Sequence, residues 1–519
     1  MNGAGNDVQA GPALLRAWID EAARRDPERP YLVSVEDGRT LGYGALAGLA
    51  RRIAAYLAAL GIGANDRVAL LADNSLEHVA AYVGVLAAGA TICTVHVEMN
   101  RTHLGTMLPA LRPRLTLSDA GLGLGDLAAH SATHWHPLGR WAPDRGDGFF
   151  AAIAAAPASG NHIAAGPGDD AVIFYTSGTS ARPKGVVLTF RELLPNAAAI
   201  AAGFGLCGGD RLYDYRSFNW ASAQILSALA TLSQGATLLL GRRFSKSRFF
   251  SDIARYRATI AAGNPTVLNM LLQEPETICS RDLPHLRFIT SSSAPLLVEE
   301  WKHFEDRFGI RVAQGYGTSE TGWIAGCTGE NRRYGTVGRP LPYHRLNIVD
   351  TAGKTLPQGE AGYVELGGIA GNEFRYVDED GHIRVNAVGR TRTGDMGFLD
   401  ADGYLHLTGR EKDLIIRGGV NISPLEIDDV LMQIPEIVEA ATIGVPEEIY
   451  GEEVVSYVVL KPGATLAAAD ILAHCARHLA VFKVPKQVHF RGALPKTERG
   501  KLDRKALVAE WRKDRETAA

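Results

Sequence analysis

Ala171-Val-Ile-Phe-Tyr175, Thr176-Ser-Gly-Thr-Ser-Ala-Arg-Pro-Lys-Gly185 and Val186-Val-Leu188 follow one another without a break: an apolar run, a loop of hydroxyls, glycine and cations, and a second apolar run. The first run is short, β-branched and aromatic, and reads as a buried strand. In the loop Gly178 lets backbone N–H groups approach a phosphate closely. The hydroxyls of Thr176, Ser177 and Thr179 can donate to its oxygens, and Lys184 adds a compact positive charge. The GxxxxGKS/T phosphate loop does not fit, because Pro183 precedes the lysine and Gly185 follows it. A cluster of Ser, Thr, Gly and Pro also makes ordinary surface turns, so the loop alone leaves polyphosphate binding and a plain turn both open.

Outward from this loop, strand and helix alternate. Leu46, Leu49, Ile53, Leu57 and Leu60 recur at three- and four-residue steps and predict a helix that stops at Gly61-Ile-Gly63. A strand over 67–71, a helix over 77–88 and a strand over 91–97 follow. The rhythm returns with strands at 238–240, 259–262 and 288–290 and a helix over 249–256, which predicts helices layered on parallel sheets. Residues 121–168, rich in Ala, Gly and Asp with weak periodicity, read as a surface excursion. After Val337 the pattern turns to Gly-punctuated strands at 346–349, 362–366 and 404–407, an antiparallel or barrel-like part over about 337–408. Beyond Gly409-Arg410 a unit of about one hundred residues resumes with strands at 414–417, 438–445 and 453–460 and helices at 425–433 and 467–479. The expected fold class is therefore α/β: a large N-terminal body of layered sheets with a β-barrel-like subdomain, residues 1–409, and a small mobile α+β domain, residues 410–519.

The 519 residues, 46% of them hydrophobic, suit about two to four structural units. Lys and Arg (54) nearly balance Asp and Glu (57), so no global field is expected to hold nucleic acid or an anionic membrane. Cys93, Cys207, Cys279, Cys327 and Cys475 are odd in number and scattered, which excludes a disulfide framework and a structural zinc site and suits a reducing, cytoplasmic compartment. The Gly-rich start, Met1 to Gly11, is not expected to be a secretory signal, and no apolar stretch reaches the ~18 residues of a membrane span.

The ten-residue loop resembles the signature of the adenylate-forming superfamily of acyl-CoA synthetases, adenylation domains and luciferases, and five further segments match in the family's order. Tyr316-Gly-Thr-Ser-Glu320 is similar to its magnesium and nucleotide motif, Thr393-Gly-Asp395 to its ribose-binding aspartate, and Gly409-Arg-Glu-Lys-Asp413 to its hinge. Gly418-Gly-Val-Asn-Ile-Ser-Pro424 is similar to its thiolation loop, and Pro495-Lys-Thr-Glu-Arg-Gly-Lys501 to its C-terminal lysine motif. The likeness spans roughly residues 10 to 510. Any one motif is weak; six in order are specific.

The resemblance implies an AMP-forming acid:CoA ligase using ATP, Mg²⁺ and coenzyme A. A carboxylate is a poor acylating agent, and joining it to AMP supplies a leaving group. Glu320 is the implied Mg²⁺ ligand, a hard oxygen donor, although an exposed Glu usually has no such role. Thr318 would donate to the α-phosphate. Asp395 and Arg410 would bracket the ribose hydroxyls. Ser293, Ala294 and Pro295, with Gln314, Gly315, Tyr316 and Gly317, would form the adenine pocket, Tyr316 stacking on the base; relatives commonly carry glycine where Ser291-Ser-Ser293 stands, which narrows that space. Lys501 is the implied catalytic cation of adenylation, against the plainer reading of a solvated lysine in a basic tail. Lys412 is the implied hinge, and Gly418 and Gly419 would line a tunnel for the pantetheine arm, or simply turn a strand end.

Acid recognition falls, by the same likeness, on Phe218, Asn219, Trp220, Gln224, Gly317 and Trp323, with Asn219 standing where relatives often have His. Trp323 points to a short or compact acid. Two other outcomes stay open: an adenylating enzyme that loads a separate carrier protein, and a catalytically silent nucleotide-binding protein of the same fold. Eighteen residues follow Lys501, too few for a carrier domain, so free CoA is expected. A homodimer is compatible with the likeness.

Overall fold

The computed structural model describes residues 11–97, 101–143, 146–156, 163–176, 184–274, 278–368, 373–387, 389–497 and 502–518. Two large mixed sheets form the body. In the first, the parallel strands Val312–Thr318, Phe288–Ser291, Ile260–Ala261, Arg211–Asp214, Thr237–Leu240 and Pro30–Ser34 lie side by side, with antiparallel strands at both edges. In the second, the parallel strands Asp170–Thr176, Thr91–Thr94, Arg67–Leu71, Leu115–Ser118 and His134–Pro137 are extended antiparallel by Lys184–Thr189, Glu373–Val377 and Ile383–Ala387.

The largest apolar cluster draws on both sheets and on the helices Tyr43–Ala59, Leu76–Ala88 and Phe190–Gly203. Every residue of Leu76–Ala88 is buried, which explains its Ala-rich, all-round apolar sequence: a helix with structure on every side needs no polar face. Ser75 caps its start, its hydroxyl accepting from His78 N at 3.1 Å, and Gly89 ends it at φ +103°. Among the described residues no helix is long and apolar enough to cross a membrane.

One expectation needs revision. Residues 121–168 are not a surface excursion: they supply the helices Gly125–Ser131 and Gly148–Ala154 and the edge strand His134–Pro137, and Leu138, Phe149, Phe150 and Ile153 join the main core. Alanine dilutes the apolar period there, but a few large side chains suffice to anchor the segment. The Gly-punctuated strands form a four-stranded antiparallel sheet, His344–Val349, Gly362–Gly368, Thr391–Leu399 and Leu405–Arg410. The hairpin 373–387 within that range leaves it and pairs with Lys184–Thr189 of the second large sheet.

The C-terminal sheet places Val420–Ile422, Ile415–Arg417, Gly451–Leu460 and Ile437–Glu447 in order, with Gln487–Arg491 parallel to Gly451–Leu460. It has apolar clusters of its own. Against the body it sets the helix Pro424–Leu431, whose Asp429 carboxylate accepts from Val298 N at 3.3 Å, at the first residue of the helix Val298–Phe308. Glu300 of that body helix accepts from Asn269 at 2.8 Å. Burial first, then the neighbouring carboxylates, push Glu300 up to about 7 and Asp429 up to about 6.

Candidate active site

Open parallel sheets bind ligands beyond the carboxyl ends of their strands, and Thr176, Ser291 and Thr318 stand at such ends. Asp170–Thr176 and Lys184–Thr189 pair antiparallel with Thr176 opposite Lys184, so the two ends of the hydroxyl loop are held side by side. A Cβ on Gly185 would lie 3.1 Å from the Tyr175 ring and 3.2 Å from Ile173, so a side chain there would have to push both neighbours aside by a few tenths of an ångström. Ser177, Gly178 and Thr179 lie outside the described residues, as does Lys501; for Thr176 and Lys184 the backbone is described.

Phe288–Ser291 and Val312–Thr318 run parallel with Ser291 opposite Gln314. Ser291 and Ser292 are buried, and their hydroxyls have no protein partner. Ser293 turns the chain at φ +73°, in the left-handed region that favours glycine. One serine of this run is thus held in a conformation that favours glycine, and Ala294 and Pro295 lead on toward solvent. Gln314 is 4% exposed and its carbonyl accepts from Cys327 Sγ.

The hairpin Val312–Thr318 and Gly322–Gly326 carries Gly317, Thr318 and Glu320. A Cβ on Gly317 would lie 2.4 Å from Gly322 O, so the strands close on each other without room for a side chain. Thr318 Oγ1 lies 2.9 Å from Thr321 Oγ1, and Glu320 stands exposed in the turn. His344 Nε2 lies 3.0 Å from Thr321 O and donates to it; burial pushes this imidazole down to about 4, so it is neutral. No group of three or more potential metal-ligating side chains occurs among the described residues. A lone exposed carboxylate nevertheless fits Mg²⁺, which takes one or two carboxylates and completes its shell with phosphate oxygens and water.

Asp395 and Arg410 face each other across the ladder between Thr391–Leu399 and Leu405–Arg410. Arg410 Nε lies 3.2 Å from Asp395 Oδ1, and Tyr316 OH donates to Asp395 Oδ2 at 2.5 Å. Burial, and then the Asp395 carboxylate, raise the Tyr316 hydroxyl well above its ordinary range, so it stays a donor. Tyr316 is 8% exposed, its ring packed with Ile324, Val337 and Ile348. The structure therefore joins the Tyr316, Asp395 and Arg410 motifs into one unit, by a hydrogen bond and an ion pair, at the end of the hairpin that bears Thr318 and Glu320.

Of the residues assigned to the acid, Phe218 is 1% exposed and packs edge-on against His78 and Tyr82, in the core. Asn219 donates to Ala72 O at 3.2 Å, and Gln224, fully buried, donates to Phe218 O at 2.8 Å. Trp220 is half-buried and stacks on His96 at 6.3 Å. Trp323 is 3% exposed, meets Phe204 edge-on, and fills the space over Gly315, whose Cβ would come within 2.7 Å of both rings.

Lys412 is exposed in the single turn Glu411–Asp413. Gly418 and Gly419, at φ +57° and +81°, make the two-residue turn between Ile415–Arg417 and Val420–Ile422, and that turn faces solvent. The structure does not bring them to the nucleotide motifs in this domain arrangement.

A residue beside the nucleotide hairpin is absent from the sequence reading. Asn196, buried on the helix Phe190–Gly203, donates to Trp323 O at 2.7 Å and accepts from Trp323 N at 2.8 Å, bracing the hairpin as a strand neighbour would. An Asn on the apolar face of a helix was its only signal.

The sequence profile of the AMP-binding enzymes matches residues 19–371, and that of the AMP-binding enzyme C-terminal domain matches residues 426–501. Over 508 residues the chain is 34% identical to a sulfoacetate–CoA ligase of Cupriavidus necator, covering 95% of this chain and 97% of that protein. It is 31% identical over 509 residues to an oxalate–CoA ligase of Arabidopsis thaliana, covering 96% and 98%. ATP-bound MatB from Rhodopseudomonas palustris superposes with a TM-score of 0.84 at 30% identity, covering 96% of this chain and 99% of that one.

Proposed function

The chain belongs to the AMP-binding enzyme family and is an AMP-forming acid:CoA ligase for compact acids, and we propose that its nucleotide is held at the ribose by Asp395 and Arg410 with Mg²⁺ on Glu320. The observation that carries this reading is the Tyr316–Asp395–Arg410 unit: a nearly buried carboxylate, fixed by one neutral donor and one cation, has acceptor capacity left for two hydroxyls.

In the first half-reaction the acid's carboxylate oxygen bonds to the α-phosphorus of ATP and the bond to pyrophosphate breaks. Thr318 donates to the α-phosphate, and Lys501 meets the negative charge that grows on the bridging oxygens. Mg²⁺, when bound, supplies charge neutralisation at the phosphates. In the second half-reaction the thiol of CoA loses its proton, sulfur bonds to the acyl carbon, and AMP leaves. The C-terminal domain turns about Lys412 between the two, withdrawing Lys501 and bringing Gly418 and Gly419 to the thiol path. Support for this alternation comes from the solvent-facing glycine turn, which needs another orientation in order to line anything. The relatives' named acids, sulfoacetate and oxalate, support a small acid with a second charged group. The scattered free cysteines support a cytoplasmic setting.

Carboxylate-dependent ATP–pyrophosphate exchange across sulfoacetate, oxalate, short aliphatic, aromatic and betaine acids tests the reading, followed by thioester assays with CoA and with a carrier protein as acceptor. AMP and pyrophosphate should appear as products with a compact acid and CoA. ADP and phosphate as products would overturn the chemistry.

A further inference from the structure

The segment 215–220 joins the strand Arg211–Asp214 to a helix that holds an eight-residue π-wound stretch, Ala223–Ala230. This connection is irregular and almost wholly buried, so its backbone polar groups must find partners without water. They find side chains. Arg216 N donates to Asp214 Oδ1 at 2.8 Å, Arg216 O accepts from Asn74 at 2.7 Å, Phe218 N donates to Asn74 Oδ1 at 2.7 Å, and Phe218 O accepts from Gln224 at 2.8 Å. Asn74 follows a strand of the second large sheet and also donates to Gly241 O at 3.0 Å in the first. One amide thereby fixes the spacing of the two sheets where they flank the segment.

Asp214 and Arg216 form an ion pair whose side chains are only 1% and 2% exposed. The guanidinium spans the carboxylate, Nε at 3.0 and 3.2 Å and Nη2 at 2.8 Å. A buried pair of this kind adds little net stability compared with apolar residues of the same volume, because both charges lose their hydration; its distinctive effect is to fix geometry. Here the geometry extends into the helix, since Ser227 in the π-wound stretch donates to Asp214 Oδ2, and Thr231 donates back to Ser227 O at 2.5 Å and Ala228 O at 3.0 Å. π-winding is rare and is found mostly at functional sites, and these hydroxyls occupy carbonyls and a carboxylate along the wide turns.

We propose that Asn74, Asp214, Arg216 and Ser227 are positioning residues for acid recognition: they clamp the connection and the π-wound helix in one register, and so fix Asn219 and Trp220 against the acid. The inference rests on the proposed function together with the acid-binding role that the family likeness implies for Phe218, Asn219, Trp220 and Gln224. None of the four touches substrate; Asn219, bonded to Ala72 O, and Trp220, stacked on His96, are the groups they deliver.

The test uses the full-length enzyme with the best acid of the exchange panel and its homologue one carbon longer. Ser227→Ala removes one hydroxyl and leaves the ion pair; Asp214→Asn removes the centre of the clamp; Ser227→Thr restores a hydroxyl; Trp220→Ala probes the delivered wall directly. Ser227→Ala should lower kcat/KM for the best acid by about ten- to a hundredfold, the scale of a misplacement near 1 Å, and narrow the preference between the two acids. The KM for ATP and the thioester rate from supplied acyl-adenylate should stay within about twofold, and Ser227→Thr should recover selectivity. Asp214→Asn should do the same more strongly. Equal loss in all parameters, with acid preference unchanged, would make the clamp merely structural and overturn the proposal. A preference altered by Trp220→Ala but not by Ser227→Ala sinks the clamp alone. A preference indifferent to Trp220→Ala sinks the placement of the acid, and the clamp's role with it.

Discussion

Asp395→Asn keeps the volume of the side chain and removes its charge, which makes it a clean probe of the proposed ribose site. In the structure the Asp395 side chain is 10% exposed and its carboxylate serves Tyr316 through one oxygen and Arg410 through the other. The Arg410 side chain is 52% exposed, so losing that pair costs the fold between about 0 and 1 kcal/mol. Bonds from nucleotide hydroxyls to a charged acceptor are worth about 1.5 to 3 kcal/mol, and their loss corresponds to about a ten- to 150-fold rise in the KM for ATP. Tyr316→Phe removes one existing donor but leaves the charge, and should change that KM less. Initial rates of pyrophosphate exchange against ATP concentration, with the acid saturating, read both variants; thermal denaturation checks the fold. An Asp395→Asn enzyme with an unshifted melting point and a KM for ATP within twofold of the parent would refute the assignment.

Lys501→Ala should suppress adenylate formation by a factor of about 10² to 10³, the usual loss of a preorganised donor, and leave thioester formation from supplied acyl-adenylate nearly intact; equal suppression of both would remove Lys501 from the chemistry. Trp323→Ala should cost about 3 to 5 kcal/mol of stability while raising the relative kcat/KM of acids longer than the best one, read by competition between two acids. Ser293→Gly relieves a left-handed backbone at φ +73° but frees the unfolded chain, and the balance should stabilise by about 0.5 to 1 kcal/mol in denaturant titration. Glu300 is held near 7, above the 4.5 of an ordinary Glu. As pH rises from 4.5 the unfolded chain therefore sheds this proton first, and stability falls until about pH 7. Glu300→Gln should be neutral at pH 4 and stabilising at pH 8 by up to about 3 kcal/mol, and equal denaturation midpoints for variant and parent at pH 8 would contradict this.

The legible parts of the sequence were those in which local pattern and chemistry coincide. The Leu46–Leu60 period gave the helix Tyr43–Ala59, and the motifs placed Tyr316, Asp395 and Arg410 near one another before any register was known. Alternation of apolar residues identifies which face of a strand is buried but not which strand lies beside it. Nothing near 373–387 reveals that this hairpin leaves its own sheet for the edge of another. Asn74, Asp214, Arg216 and Ser227 went unread for a related reason: their bonds connect positions up to 167 residues apart, and each residue alone looks like loop composition. The Ala-rich stretch before residue 168 hid Phe149 and Phe150, because two rings and an Ile are too few to set up a period.

The borrowed hairpin has a consequence for how the protein is made. The strand that begins at Lys184 has Asp170–Thr176 on one side, available almost as soon as it is synthesised, but its other neighbour is Glu373–Val377. A ribosome-bound chain must lengthen by nearly two hundred residues before that ladder can be completed, a long-range closure of the kind that slows folding. Until then that β-edge is left unpaired, and fragments truncated before residue 373 should aggregate through it.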